Sequence, residues 1–371
     1  MIVPSGRDVA LAEAPPLDHL LALTDDTGTI QHATYDVPNR STGYCTDDVA
    51  RALIVSIRAG FVAPPERDRA LGLARTSLAF LAHAQLTDGR FHNFMSYERT
   101  WLDDVGTEDA NGRAIWALGV AVRSAPTFGF RALAREILVR ALPTIASIAH
   151  LRSRTYAALG LVEALGPGAG AALPMAQAPE LGTNLAAIGT SLREAYEASA
   201  TAEWPWFESA MTYDNARLCQ AAIEIGEILE SAPLLAIGAA SFAFYERTTV
   251  VDGRYLPIGN DGWYPRGAVP SRFDQQPLEA AALVDAALAA ARAAERFPGA
   301  GFAAVAHYRE LARIGLDWFH GANVLGRSLV TPQGACCDGL SPSGVNANAG
   351  AESTLAYLSA AYALAEPSSD R

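Results

Sequence analysis

One pattern recurs six times along this chain and limits what it can fold into. A loop rich in aromatic, glycine and acidic or amide residues runs into an Ala/Leu-rich segment with helical spacing, and a second helical segment returns. The openings fall near residues 47, 108, 155, 213, 275 and 350. The first begins at Tyr44-Cys45-Thr46-Asp47-Asp48 and returns over Arg67 to Gln85; the second begins at Thr107-Glu108-Asp109 and returns over Arg131 to Ile148. The third opens near Arg154-Thr155-Tyr156 and returns over Leu181 to Glu197; the fourth opens at Tyr213-Asp214-Asn215 and returns over Ala232 to Tyr245. The fifth opens at Asp274-Gln275-Gln276-Pro277 and returns over Phe302 to Phe319. The sixth opens at Ala349-Gly350-Ala351-Glu352, and the segment Leu17 to Leu23 is its expected partner. Six such hairpins predict an all-α (α/α)6 toroid, six inner helices inside six outer ones, as a single domain over residues 1–371 with about 1–16 and 366–371 peripheral. An open helical solenoid is the alternative, and the count of six pairs favours closure.

Closure has a chemical consequence. Parallel inner helices bring their starts to one mouth, so Asp47, Asp48, Glu108, Asp109, Asp214, Gln275, Gln276 and Glu352 are expected to face one cavity. Each alone is explained as a helix cap or as an acid complementing the helix dipole. Eight on one rim exceed what capping needs and point to a polar ligand.

Composition narrows the ligand. The net charge of −12, with no basic run, argues against nucleic acid and anionic membrane surfaces as partners. No uncharged apolar stretch of about 18 residues is present, and the start Met1 to Asp8 lacks the features of a signal peptide. Cys45 and Cys219 stand alone and Cys336-Cys337 are adjacent, a poor spacing for zinc, so a reduced cytoplasmic protein without metal or cofactor is expected.

The densest chemical stretch is Trp204-Pro205-Trp206-Phe207-Glu208, followed by Tyr213-Asp214. Aromatic rings stack on the apolar faces of sugars, and carboxyl groups move protons at a glycosidic oxygen and at water. Several segments also carry a family resemblance: His32 to Arg40 with Gly43 to Asp48, Asp88 to Tyr97, Glu108 to Ala114, Thr212 to Leu218, Asp274 to Pro277 and Asn348 to Thr354. Over about residues 17 to 365 the chain resembles a poorly characterised bacterial group of six-hairpin (α/α)-barrel, glycosidase-like proteins. These occur alone or joined to retaining-type glycosyltransferase modules, often beside β-mannoside phosphorylases. The resemblance implies the barrel and carbohydrate chemistry on an oligosaccharide or glycoconjugate containing mannose or glucose. The chain shows no sign of the two Rossmann-like domains such a transferase requires.

The resulting expectation is an inverting glycoside hydrolase with Glu208 as acid, in the apolar surroundings of Trp204, Trp206 and Phe207, and Asp109 or Asp48 as base. Asp104 and Glu352 are reserve carboxylates. Arg51, Arg113 and Arg217 are expected to pair with acids of their own helices. His92, Asn93, Tyr213, Gln275 and Gln276 are candidate sugar-binding groups, and Trp101, Trp263 and Tyr264 candidate stacking platforms. A sugar epimerase needs two histidines, and the seven here do not fall at the expected inner-helix starts. A diphosphate-dependent cyclase at Asp103-Asp104 or Asp47-Asp48 lacks a basic clamp. A non-catalytic carbohydrate-binding barrel is the alternative from another class.

Overall fold

The computed structural model describes residues 14–166 and 178–366. Twelve α-helices lie among these residues. They are α1 (Asp18–Ala22), α2 (Thr46–Val62), α3 (Arg67–Ala84), α4 (Glu108–Ser124), α5 (Phe128–Ala141) and α6 (Leu151–Leu165). After them come α7 (Ala178–Ser199), α8 (Asn215–Ile228), α9 (Ala232–Thr249), α10 (Pro277–Arg296), α11 (Val305–Phe319) and α12 (Ala351–Ala365). Each even-numbered helix packs on the next, and α12 packs back on α2. The ring therefore closes, and the chain is an (α/α)6 barrel. The short α1 does pack on α12 as its outer partner.

Sequence chemistry sets the inner starts. Asp47 and Asp48 sit in the first turn of α2; Thr107 caps α4 by accepting from the Ala110 N–H at 3.2 Å; Pro277 opens α10. The inner helices are almost wholly buried and rich in small residues, which lets their backbones approach. A Cβ on Gly119 of α4 would lie 2.0 Å from the Gly160 carbonyl of α6, and one on Gly160 would lie 2.3 Å from that of Ile115. Two glycines are thus required by packing rather than by backbone conformation.

Side-chain pairs fix the direction of the ring. Arg51 meets Glu352 near the starts of α2 and α12, while Arg58 meets Ser359 further along both. Arg217 meets Asp285 and Arg292 meets Glu224 in the same order along α8 and α10. The inner helices are parallel, so all their N-termini open on one face. On that face lie the long connections, pinned by short antiparallel pairs such as Tyr44–Cys45 with Phe94–Met95 and Ala210–Met211 with Tyr264–Pro265.

Several boundaries differ from expectation: the second return segment, for one, is an α-helix only from Phe128 to Ala141, short of Ile148. Helix α6 begins at Leu151, not near Arg154, which brings Arg152 and Ser153 into its first turn. Pro15, expected to be peripheral, is tied down by the Tyr362 hydroxyl at 2.7 Å; residues 1–13 and 367–371 lie outside the described residues.

Candidate active site at the inner-helix mouth

Two arginines organise the mouth. Arg113 of α4 is buried and reaches Asp47 at 3.1 Å, Asp214 at 2.9 Å and the Tyr156 hydroxyl at 2.9 Å. Arg51 of α2 binds Asp47 at 2.8 Å, Asp48 at 3.3 Å and Glu352 at 2.7 Å. The expected intrahelical pairs are present for Arg51. Arg113, however, pairs only across helices among the described residues, and Arg217 adds Asp285 at 2.7 Å to its own Asp214 at 3.6 Å. Five inner helices are joined this way.

Asp214 is the buried hub and does not cap α8 with its side chain. It sits in the left-handed region at φ 49°, and the backbone N–H groups at this helix start donate instead to Glu279 of α10. Burial opposes its charge, but Arg113 and Arg217 outweigh it and hold the Asp214 carboxyl below the usual range. Glu279 has no such cation among the described residues. Burial and the charge of Asp214 push it up to about 8 against the donated N–H groups. Asp48 behaves likewise: burial pushes it up to about 8, Arg51 pulls down, and Asp47 and Glu352 push further up. Desolvation also opposes ionisation of Glu352, yet Arg51 and Arg113 hold it low.

Asp109 is held differently. Its carboxylate accepts from the Ser153 hydroxyl at 2.5 Å and from the Tyr213 hydroxyl at 2.8 Å, and it forms no ion pair among the described residues. Burial, reinforced by Asp109, raises the Tyr213 phenol well above its usual value, so Tyr213 stays a donor. Arg152 lies 4.9 Å from the Tyr213 ring centre, donates to the Tyr213 carbonyl at 2.6 Å and binds Glu208 at 2.6 Å. Glu208 therefore faces a guanidinium and not an apolar pocket.

The aromatic residues around Glu208 turn inward. Trp204 and Trp206 are 3% and 0% exposed and pack with Phe207, Phe244 and Tyr245 into the core, so they are not stacking platforms. The physical reason is their number: three large apolar rings in one short loop gain more from burial against each other and α9 than from solvent. Only Trp263, 43% exposed, keeps an open ring among the predicted tryptophans of these loops. Trp101 stacks on His92 at 4.7 Å, and Tyr264 packs against Trp204.

Other predicted site residues are spent on the scaffold. Glu108 accepts from the Ala149 and His150 N–H groups at 2.9 and 2.7 Å, anchoring the start of α6. Asn93 is buried and accepts from the Cys45 thiol at 3.2 Å and weakly from Asp47 N–H. Gln275 is fully buried between Trp318 and the Arg272 carbonyl, and Gln276 donates to Asp274 at 2.8 Å. Asp104 is exposed on its loop, apart from the network. His92 binds Asp103 through Nδ1 at 2.8 and 3.1 Å, leaving Nε2 without a partner among the described residues.

The histidines also correct an expectation. His150 is the residue before α6, and a Cβ on Gly350, before α12, would lie 3.6 Å from His32 Nδ1. Two histidines thus do sit at inner-helix starts. Sequence reading missed Arg152, Ser153, Tyr156 and Glu279. A three-residue error at α6 hid the first two, although Ser153 and Gly160 repeat the seven-residue spacing of Gly112 and Gly119. Among the described residues, no three His, Cys, Asp or Glu are placed to hold a metal, and no helix is long and apolar enough to cross a membrane.

No family model matches the chain, and no curated protein matches it. Solved structures do. A cellobiose 2-epimerase from Bacillus thermoamylovorans aligns with TM-score 0.67 at 12% identity over 95% of this chain and 96% of that one. A D-mannose isomerase aligns with TM-score 0.63 at 11% identity over 93% and 94%. An α-1,6-mannanase of Salegentibacter, an inactive variant lacking two consecutive aspartates and bound to α-1,6-mannotetrose, aligns with TM-score 0.59 at 13% identity over 94% and 95%. At these identities the likeness is one of fold, and it places the chain among (α/α)6-barrel structures.

Proposed function

We propose that this barrel is a carbohydrate-active enzyme of one domain, and that it hydrolyses an oligosaccharide or glycoconjugate through Asp109. The observation carrying the reading is the unequal treatment of the mouth carboxylates. Asp47, Asp48, Asp214, Glu208 and Glu352 each face a guanidinium, whereas Asp109 is oriented by two neutral hydroxyls. A carboxylate fixed in place without charge neutralisation is suited to take a proton from water. The complementary proton donor is Asp48: Arg51 stands 3.3 Å away, but burial together with Asp47 and Glu352 outweighs it and pushes the carboxyl up to about 8. Glu208, ion-paired to Arg152, is reassigned from acid to a sugar-hydroxyl anchor. The dependence of a similar barrel on two consecutive aspartates adds support, because acid pairs open α2 and α4 here: Asp47-Asp48 and Glu108-Asp109.

A second reading, a sugar epimerase or isomerase, is favoured by His92. Asp103 fixes one ring nitrogen and leaves the other available, and two of the similar structures carry those activities. Proton NMR of manno- and gluco-oligosaccharides separates the readings. Hydrolysis yields new reducing ends, lost in Asp109→Asn. Epimerisation changes one centre without cleavage and is lost in His92→Asn. Binding without either change identifies a carbohydrate-binding barrel and overturns both.

A further inference from the structure

The loop that leads from α9 into α10 holds a tryptophan in a backbone conformation that tryptophan rarely adopts. Trp263 has φ 54°, directly after Gly262 at φ 101°. In the left-handed region the Cβ of a bulky residue crowds the following carbonyl, and glycine escapes that crowding. Burial does not offset the strain. Of the six tryptophans four are buried, Trp101 lies against His92, and Trp263 is 43% exposed. A single exposed apolar side chain needs no explanation, but an exposed one on a strained backbone points to a task outside the core.

The turn around it is closed. The Trp263 N–H donates to the Gly259 carbonyl at 3.1 Å, the Gly262 N–H to that of Asn260 at 2.9 Å, and the Ser271 N–H to that of Trp263 at 2.9 Å. The backbone carrying the ring is therefore ordered before any ligand arrives. Asn260 and Asp261, exposed on the same turn, have side chains with no hydrogen-bond partner among the described residues. An open aromatic face, an amide and a carboxylate thus stand within four residues.

The turn is fixed beside the candidate site. Tyr264 pairs with Met211, two residues before the Tyr213 that holds Asp109, and the Arg266 N–H donates to the carbonyl of Ser209, the residue after Glu208, at 2.8 Å. The Tyr264 ring lies 5.0 Å from that of Trp204, whose indole N–H donates to the Glu208 carbonyl at 2.7 Å. Tyr264 is spent on this anchorage, and its neighbour Trp263 stays open.

We infer that Trp263 is a platform on which one sugar unit stacks outside the carboxylate mouth, so that the ligand is a sugar chain running out over the rim beside Glu208 and not a free monosaccharide. The C–H face of a pyranose covers the indole, and its hydroxyls reach the amide of Asn260 and the carboxylate of Asp261. The inference rests on the reading of the mouth as a carbohydrate site, and it requires binding, not cleavage.

The test is calorimetric titration of the Asp109→Asn protein with manno- and gluco-configured tetra- and hexasaccharides. Trp263→Gly in that background is expected to weaken binding about tenfold or more, with Tm unchanged or raised because glycine accepts the left-handed backbone. Trp263→Phe, which keeps a flat ring, should retain most of the affinity, whereas Trp263→Leu, which keeps only apolar bulk, should lose it. Equal affinity in Trp263→Gly overturns the inference. A fall in Tm of several degrees in that variant overturns it too, by making the ring a structural element. Self-association that Trp263→Gly abolishes would assign the ring to an interface between copies and overturns it as well. Absence of saturable binding by every oligosaccharide overturns it together with the carbohydrate reading. Binding lost in Trp263→Gly, with no cleavage by the native protein, supports the platform and overturns hydrolysis alone.

Discussion

Replacing Arg113 by methionine removes the cation that joins α2, α4 and α8 while keeping its apolar stem. The effect is dominated by Asp214, because Asp47 keeps Arg51 at 2.8 Å and retains 18% side-chain accessibility. Asp214 has 2% and keeps only Arg217 at 3.6 Å and the Tyr156 hydroxyl at 2.7 Å. Breaking one side of a buried pair costs about 3–5 kcal/mol, since a buried charge is left behind. For a chain of this length, about 2 cal/mol/K of unfolding entropy per residue turns that into a Tm fall of about 4–6 °C. The loss should depend on pH in a defined direction. In the native protein the Asp214 carboxyl lies below its ordinary 3.8, so its stabilising contribution is present above that value and lost only in strong acid. In Arg113→Met, burial dominates and the carboxyl rises, so ionised Asp214 becomes a penalty at neutral pH that protonation relieves. Urea denaturation should therefore show a gap between the two proteins that narrows from pH 7 to pH 5. A gap under about 1 kcal/mol at pH 7, or one of equal size at both pH values, would refute the hub role of this arginine.

Three further outcomes are expected. Gly119→Ala should destabilise by about 1–3 kcal/mol or more in urea titrations, because the new methyl would overlap the Gly160 carbonyl. Gly129→Ala on α5, where a Cβ meets nothing within 4 Å, should stabilise by about 0.5–1 kcal/mol; equal effects would sink the close-approach argument. Asp48 is raised in the folded state, so the native protein binds its proton more tightly and stability should decline as pH climbs from the ordinary 3.8 towards about 8. Thermal scans at pH 6 and 8.5 should show this decline, and Asp48→Asn should flatten it. Glu208→Gln should raise KM more than it lowers kcat; a collapse of kcat with KM unchanged would return Glu208 to the role of acid.

Much of the architecture was legible because it rests on local signals. The five acidic or amide openings, the Ala-rich inner segments and the pairing of Leu17 to Leu23 with the last helix all depend on helical periodicity and caps. The start of α6 escaped because no Ser, Thr, Asp or Asn precedes Leu151, and the group that satisfies this helix end is Glu108, over forty residues away. The direction of side chains was not legible either. Trp204 and Trp206 read as a sugar platform until the structure showed their rings packed on Phe244 and Tyr245. Glu279 stands inside a recognisable segment, yet its role depends on the left-handed turn at Asp214, a conformation that aspartate adopts more readily than most residues but that sequence alone does not assign to this one. What periodicity encodes was readable, and what the ring closure brings together was not.

The central claim is that Asp109, held by Ser153 and Tyr213, takes the proton in a sugar-cleaving reaction. Its most direct test follows product anomers by proton NMR with manno- and gluco-oligosaccharides of defined linkage, comparing the native protein with Asp109→Asn. The assignment predicts release of a sugar with inverted configuration by the native protein. Asp109→Asn should lose turnover by at least about a hundredfold, with unchanged Tm and retained binding of the same oligosaccharide. Turnover that survives in Asp109→Asn would contradict it.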